Sequence, residues 1–367
     1  MQMEKRRNIL IWTILMVVIL GMTGIFVHYI SIAGSTVPIM DYWEWISNYG
    51  KKIVNNEITF LDFVINPDKS TLSAQHISPG TMALQFFVLA LHKFDVRPLV
   101  TYGMIIKIIT GYMLVGIFIY ICKKNEEKLQ VRTYLYAILM FAISINFNQW
   151  EILTEPFAFT FSIRIALYYI SFYTVQHLYK KASSDNKQFL FIQAIGVGIF
   201  CTLITLLSSS AYFVGHLFSI MFVGIGELIH NKENRKEIGK ITFVLGSMIV
   251  FAVIGYMYMI HLSASAGAGA STNIDFDILD VLLGVLVYMG TLLIPQTYID
   301  TIGIYPIVFL GIVLLVVVCI VLIAYYKLGL DLEEKFPIMC IVYAGVTGGV
   351  PCSNAHNALD PLSRQGR

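Results

Sequence analysis

Apolar runs of about 20 residues alternate with short polar segments along most of the chain. At 1.5 Å per residue, twenty helical residues cover the roughly 30 Å of a bilayer's hydrocarbon core. The runs at 9–32, 99–122, 157–179, 189–207, 211–229, 241–262 and 304–326 therefore read as spans. The run at 133–145 is short, and a last one opens near Phe336. Inside lipid a segment must satisfy its own backbone hydrogen bonds, so the pattern predicts an all-α, polytopic transmembrane helix bundle of about 8–9 spans.

Two runs break the rhythm. The first, 80–94, has an apolar core of about 12 residues, too short to cross. It reads as an interfacial helix at the end of a long polar loop, 33–98. The second, 281–294, covers only about 21 Å. Neither of its flanks, 263–280 and 295–303, holds a Lys or Arg, so it is expected to be re-entrant or interfacial. Residues 1–350 thus form one polytopic membrane domain. The polar tail 351–367 stops the last helix abruptly and reads as a truncated or frameshifted end.

Charge sets the orientation. Lys5, Arg6 and Arg7 precede the first run, which is too long for a signal-peptide core, so it is read as an uncleaved span with a cytoplasmic N-terminus. On that topology sixteen Lys or Arg fall inside. Five fall outside: Lys51, Lys52, Lys69, Lys93 and Arg97. The loop 33–98 is then extracytoplasmic, and the protein is expected to be multi-pass in the plasma (inner) membrane. Composition agrees: the chain is 57% hydrophobic and 13% charged, which excludes an ordinary soluble domain. Its mean hydropathy is +0.73. No nucleic-acid partner is expected. The five cysteines have no metal-ligand spacing, no metal site is assigned, and HExxH, Walker A, GxSxG and CxxC patterns are absent.

Candidate chemistry concentrates in 38–79. Asp41 and Glu44 are three apart and share a face if the segment is helical. A carboxylate at the membrane surface among aromatic neighbours is partly desolvated, which suits a general base. Asp41 equally fits an N-cap for 42–49. Trp43, Trp45 and Trp150 fit either an interfacial aromatic belt or platforms for sugar faces. His76 follows in the same loop and Glu151 sits beside Trp150. Two cations lie within spans, Lys107 and Arg164, and on the expected topology both sit roughly 12 Å below the outer edge. An intramembrane cation costs about 3 kcal/mol on insertion scales and normally has a partner. Glu151 or Glu155 would serve for an ion pair. An anionic lipid headgroup would serve equally, since the guanidinium fork suits phosphate.

The basic start, single span and large outer loop resemble the GT-C superfamily, polytopic glycosyltransferases that use lipid-phosphate-linked sugars. So does the acidic motif just after the membrane, Ile39-Met40-Asp41-Tyr42-Trp43-Glu44-Trp45, with His76 and Pro79 ahead of an interfacial helix. Gln149-Trp150-Glu151 is similar to a second outer loop of bacterial members acting in envelope polysaccharide assembly. The resemblance implies an inverting transferase with a polyprenyl-phosphate-linked sugar as donor and a glycan, lipid or protein acceptor. Asp41 and Glu44 would be catalytic. Trp43, Trp45, His76, Lys107, Trp150, Glu151 and Arg164 would bind substrate. No cofactor is required, and a divalent metal stays open. In this chain Tyr42 and Trp43 separate the two acids that some members carry side by side. A lipid-linked oligosaccharide flippase or other multi-pass transporter, and a non-catalytic membrane assembly protein, are the alternatives.

Overall fold

A computed structural model describes residues 2–34, 95–125, 130–145, 158–183, 187–206, 210–265, 278–291, 299–327 and 335–349. It also describes isolated positions at 52, 55–57, 59, 84, 87–88, 90–92, 154 and 293–294. The described residues are helical and contain no strand. The helices are α1 (Gln2–Ala33), α2 (Arg97–Asn125), α3 (Val131–Ser144), α4 (Ala158–Lys180) and α5 (Lys187–Leu206). They continue with α6 (Ser210–His230), α7 (Arg235–Ser265), α8 (Ile278–Thr291), α9 (Ile304–Lys327) and α10 (Phe336–Gly349).

Among the described residues, five stretches are long and apolar enough to cross a membrane: Ile9–Ala33, Arg97–Lys124, Gln188–Thr205, Arg235–Gly255 and Ile304–Tyr325. Val131–Ser144, Gly215–His230 and Leu282–Thr291 are shorter apolar helices. The predicted run 157–179 does form a helix, α4. It is not among the five, and Thr160, Ser162, Arg164, Ser171 and Gln176 interrupt its apolar run. The described residues therefore form an all-helical fold with the character of a multi-pass membrane protein. Helical residues also occur at Leu84, Phe87, Val88, Ala90 and Leu91, where a short helix is predicted.

The chain divides into two compact units. The first comprises Met1–Phe63 and Thr81–Leu167, the second Val64–Gly80 and Tyr168–Arg367. In the first, α1, α2 and α3 share a core of Leu15, Ile19, Phe26, Val115, Ala137 and Phe141, among others. The spacing of Leu15, Ile19, Phe26 and Ile30 keeps one stripe of α1 inward. Its other faces expose Ile14, Val17, Leu20 and Ile25, as expected of a helix whose outer solvent is lipid. Within this core the Thr23 and Tyr112 hydroxyls hydrogen-bond at 3.1 Å, and Trp12 meets Tyr134 edge-on at 5.4 Å.

In the second unit the packing surfaces are lined by small residues. Gly198 lies against Met248, and the Thr202 hydroxyl donates across to the Met248 carbonyl at 3.2 Å, joining α5 to α7. Helices α8 and α9 approach most closely. A Cβ on Gly290 would collide with the Ile307 carbonyl, and one on Gly311 with the Leu286 carbonyl, so only glycine permits this backbone contact. Helix α8 begins at Ile278 and ends at Thr291, three residues earlier at each end than its apolar run, and Leu293 and Ile294 lie in a turn. Gly303, at φ +77°, breaks the chain between the single helical turn Ile299–Ile302 and α9.

Candidate functional site

Of the residues singled out for chemistry, Asp41, Trp43, Glu44, Trp45, His76, Trp150 and Glu151 lie outside the described residues, as does Glu155. Lys107 and Arg164 are described, and both belong to the first unit. Because α2 begins at Arg97, Lys107 lies about 15 Å from that helix's start. Arg164 lies about 9 Å from the start of α4.

Arg164 is 5% exposed, the deeper buried of the two cations. Its guanidinium carbon sits 4.4 Å from the centroid of the Phe161 ring, three residues earlier on the same helix. A guanidinium over an aromatic face is attracted by the negative face of the ring. Five residues before Arg164, Phe159 packs on Tyr102 with ring centroids 6.0 Å apart. Tyr102 lies five residues before Lys107. The N-terminal ends of α2 and α4 therefore touch, and each helix carries its cation five residues beyond the contact.

The approach to α2 is held by charge. Asp95 accepts from the Arg97 backbone N–H at 3.0 Å, capping the helix, and from the guanidinium at 2.6 to 3.0 Å. The Arg97 hydrogen bond keeps the Asp95 carboxyl below its ordinary range. Next to it, His92 Nε2 and the Tyr102 hydroxyl are 3.0 Å apart.

The second unit holds two buried polar clusters that the apolar pattern does not reveal. In one, Ser171 of α4 and His216 of α6 are fully buried, with Oγ and Nε2 2.8 Å apart. The Ser171 hydroxyl also lies 3.0 Å from the Tyr168 carbonyl, to which it can donate. Nδ1 has no partner among the described residues. The Cys201 thiol contacts the same hydroxyl, and the rings of Tyr168 and Phe172 pack on the imidazole at 4.8 and 5.5 Å. In the other cluster, Lys335 and Glu227 form an ion pair at 2.9 Å, each side chain 11% exposed. Lys335 also faces the Tyr325 ring, and Gln176 accepts from the Phe336 N–H at the start of α10. In the sequence His216 is a lone histidine within the run 211–229, and a lone histidine is more often structural than functional. Polar residues interrupting apolar runs, such as Ser171, Gln176 and Glu227, are the available signal for the rest.

Among the described residues, no group of three or more His, Cys, Asp or Glu side chains is arranged to hold a metal. No protein-family model matches this chain, and no curated protein or solved structure matches it either.

Proposed function

We propose that this chain is a membrane glycosyltransferase that moves a sugar from a polyprenyl-phosphate donor to an acceptor on the extracytoplasmic face. On this reading the N-terminus is cytoplasmic, the chain makes about 8–9 spans, and 281–294 does not cross. The loop 33–98 covers the reaction from outside. The Asp41 carboxylate takes the proton of the acceptor hydroxyl, whose oxygen attacks the sugar's C1. The bond from C1 to the phosphate oxygen breaks with inversion, and the lipid phosphate leaves with the negative charge. Glu44 flanks Asp41. Trp43, Trp45, Trp150 and His76 line the sugar, with Glu151 at the second outer loop.

The observation that carries the reading is the buried guanidinium of Arg164. The side chain is 5% exposed on α4, beside the buried Thr160 and Ser162, and on the proposed topology that position would lie within reach of the headgroup layer. A cation in that setting has a differential use: it stabilises charge that develops on the leaving phosphate, where low dielectric strengthens each contact. Lys107, at the matching offset on α2, adds a second cation. The sequence resemblance supplies the donor class.

The test is transfer from a radiolabelled polyprenyl-phosphate sugar by the purified full chain. Arg164→Met removes the charge at similar length, and Arg164→Lys keeps the charge without the fork. Both are expected to insert and fold, with donor use severely lowered in the first and intermediate in the second. Detergent thermal stability with and without the donor gives the second readout. If Arg164→Met still gains donor-induced stability, and changing Glu151 or Glu155 to Gln restores a fold weakened by Arg164→Met, the guanidinium serves an ion pair and the phosphate role fails. Movement of the labelled lipid across the bilayer without sugar transfer would favour a transporter.

A further inference from the structure

Helices α6 and α7 form a hairpin whose turn, Asn231 to Asn234, is closed by the Asn231 side chain accepting from the Asn234 N–H at 3.3 Å. Between the two helices runs a groove of about 430 Å³, lined by Leu217, Phe218 and Met221 of α6 and by Phe243, Gly246 and Val250 of α7. Thr242 and Ser247 also border it, but their hydroxyls donate back to the carbonyls of Ile238 and Val244. The lining that remains is hydrocarbon, and an occupant must be apolar along its buried length.

Three features specify the occupant. The groove is continuous with the lipid-facing surface, because Phe218 and Phe243 at its rim are 56% and 76% exposed. Those two standing rings would hold a neighbouring helix away from the groove, since packed helix axes need to approach within about 8–10 Å. A narrow, flexible chain passes between them. The third feature is charge. Lys236, Lys240, Phe243, Ser247 and Val250 recur at alternating four- and three-residue steps and so share one face of α7. Toward the turn, the same face of α7 therefore carries two exposed lysines, Lys236 and Lys240, beyond the end of the apolar groove. Lys232 and Arg235 are exposed nearby, against the acids Glu233 and Glu237. Of these acids Glu237 is buried and already pairs with Lys240 at 3.1 Å, and cations remain in excess at the surface.

We propose that the α6–α7 hairpin binds an anionic phospholipid, with one acyl chain in the groove and the phosphate headgroup on Lys236 and Lys240. Basic residues beside an interhelical groove at the membrane surface give this selectivity through headgroup charge, while the chain anchors the lipid along the helix. The site belongs to the second unit and is independent of the transferase reading.

Native mass spectrometry of the full chain, delipidated in detergent and given phosphatidylglycerol or phosphatidylcholine of identical chains, tests this. The anionic lipid is expected to be retained at least about tenfold more strongly than the zwitterionic one. Lys236→Gln should bring the anionic lipid toward the zwitterionic level. Val250→Trp, filling the groove from its rim, should lower retention of both. Phe251→Trp, the next residue and 75% exposed, should change neither. Thermal unfolding of each variant in the same detergent separates lost binding from lost fold. Equal retention of the two lipids by the wild type would overturn the proposal. So would a well-folded Val250→Trp protein that keeps its lipid, or glycerol phosphate alone binding as tightly as the whole lipid.

Discussion

Replacing Glu227 by Gln leaves the Lys335 ammonium facing a neutral amide in a site where each side chain keeps only 11% of its exposure. Glu227 lies in the last turn of α6 and Lys335 immediately precedes α10, so the pair ties the end of one helix to the start of another. Removing one member of a buried pair typically costs 3–5 kcal/mol, because the surviving charge keeps its desolvation penalty and loses its compensation. Two features place the expected loss near the lower end, about 3 kcal/mol. The ammonium still faces the Tyr325 ring at 5.8 Å, and a lysine stem is long enough to turn its head toward water. A loss of about 3 kcal/mol raises the unfolded fraction roughly a hundredfold. Glu227→Gln combined with Lys335→Met removes both charges and should recover most of the loss, to within about 1 kcal/mol of wild type. Unfolding in mixed micelles of increasing denaturing detergent, followed by far-ultraviolet circular dichroism, measures all four corners of the cycle. A Glu227→Gln protein as stable as wild type would show that the pair is solvated. A double variant weaker than either single one would show that the two charges do not act as a unit.

Asp41→Asn keeps size and hydrogen-bonding capacity but removes the proposed base. Transfer should fall by at least about a hundredfold with normal insertion, measured with the radiolabelled donor. Ser171→Ala takes away the hydroxyl that meets the buried His216 imidazole and should cost about 1–3 kcal/mol in the same unfolding assay. His216→Phe should cost less, because it also removes the open Nδ1. Gly311→Val drives a side chain into the Leu286 carbonyl and should destabilise the α8–α9 contact by about 1–3 kcal/mol or more, read by thermal unfolding. Arg97 holds the Asp95 carboxyl below its ordinary value of 3.8. The cap's contribution is therefore complete above that value and is lost as pH falls through the lower, folded-state one. Hydrogen exchange in the first turn of α2 should show no loss of capping between neutral pH and about pH 5, and Arg97→Met should move the onset of fraying upward.

The apolar pattern makes the helices legible because one physical requirement, covering the bilayer core with satisfied backbone, acts on each run separately. Runs 9–32, 189–207 and 304–326 become α1, α5 and α9 with small changes at their ends. Lys5, Arg6 and Arg7 extend α1 to Gln2, since charged residues continue a helix beyond the lipid as readily as apolar ones. Composition is less informative for α4, where polar side chains that lower its hydropathy make inward contacts. Ser171 reaches His216, and Gln176 caps α10 across 160 residues of sequence. Such pairings depend on which helices become neighbours, and a period of 3.6 residues says nothing about that choice. The glycine contact of α8 with α9 is hidden for the same reason. Gly290 and Gly311 are ordinary in a membrane helix until Ile307 and Leu286 are brought against them.

The same distinction separates the two kinds of cation in this chain. In the sequence Lys236 and Lys240 act as orientation signals at the end of a span, and that role needs only their position along the chain. Their use as a headgroup site requires that Phe243, Ser247 and Val250 continue their stripe into a groove, which exists only once α6 packs on α7. Arg164 stands out as an isolated charge in an apolar run, where position alone demands a partner. Its burial against Phe161 adds that the guanidinium is held on one side of α4. On the proposed transferase reading, a charge fixed in that way would lose little further freedom when the donor phosphate binds. That is the property a phosphate site needs and a snorkelling surface cation lacks.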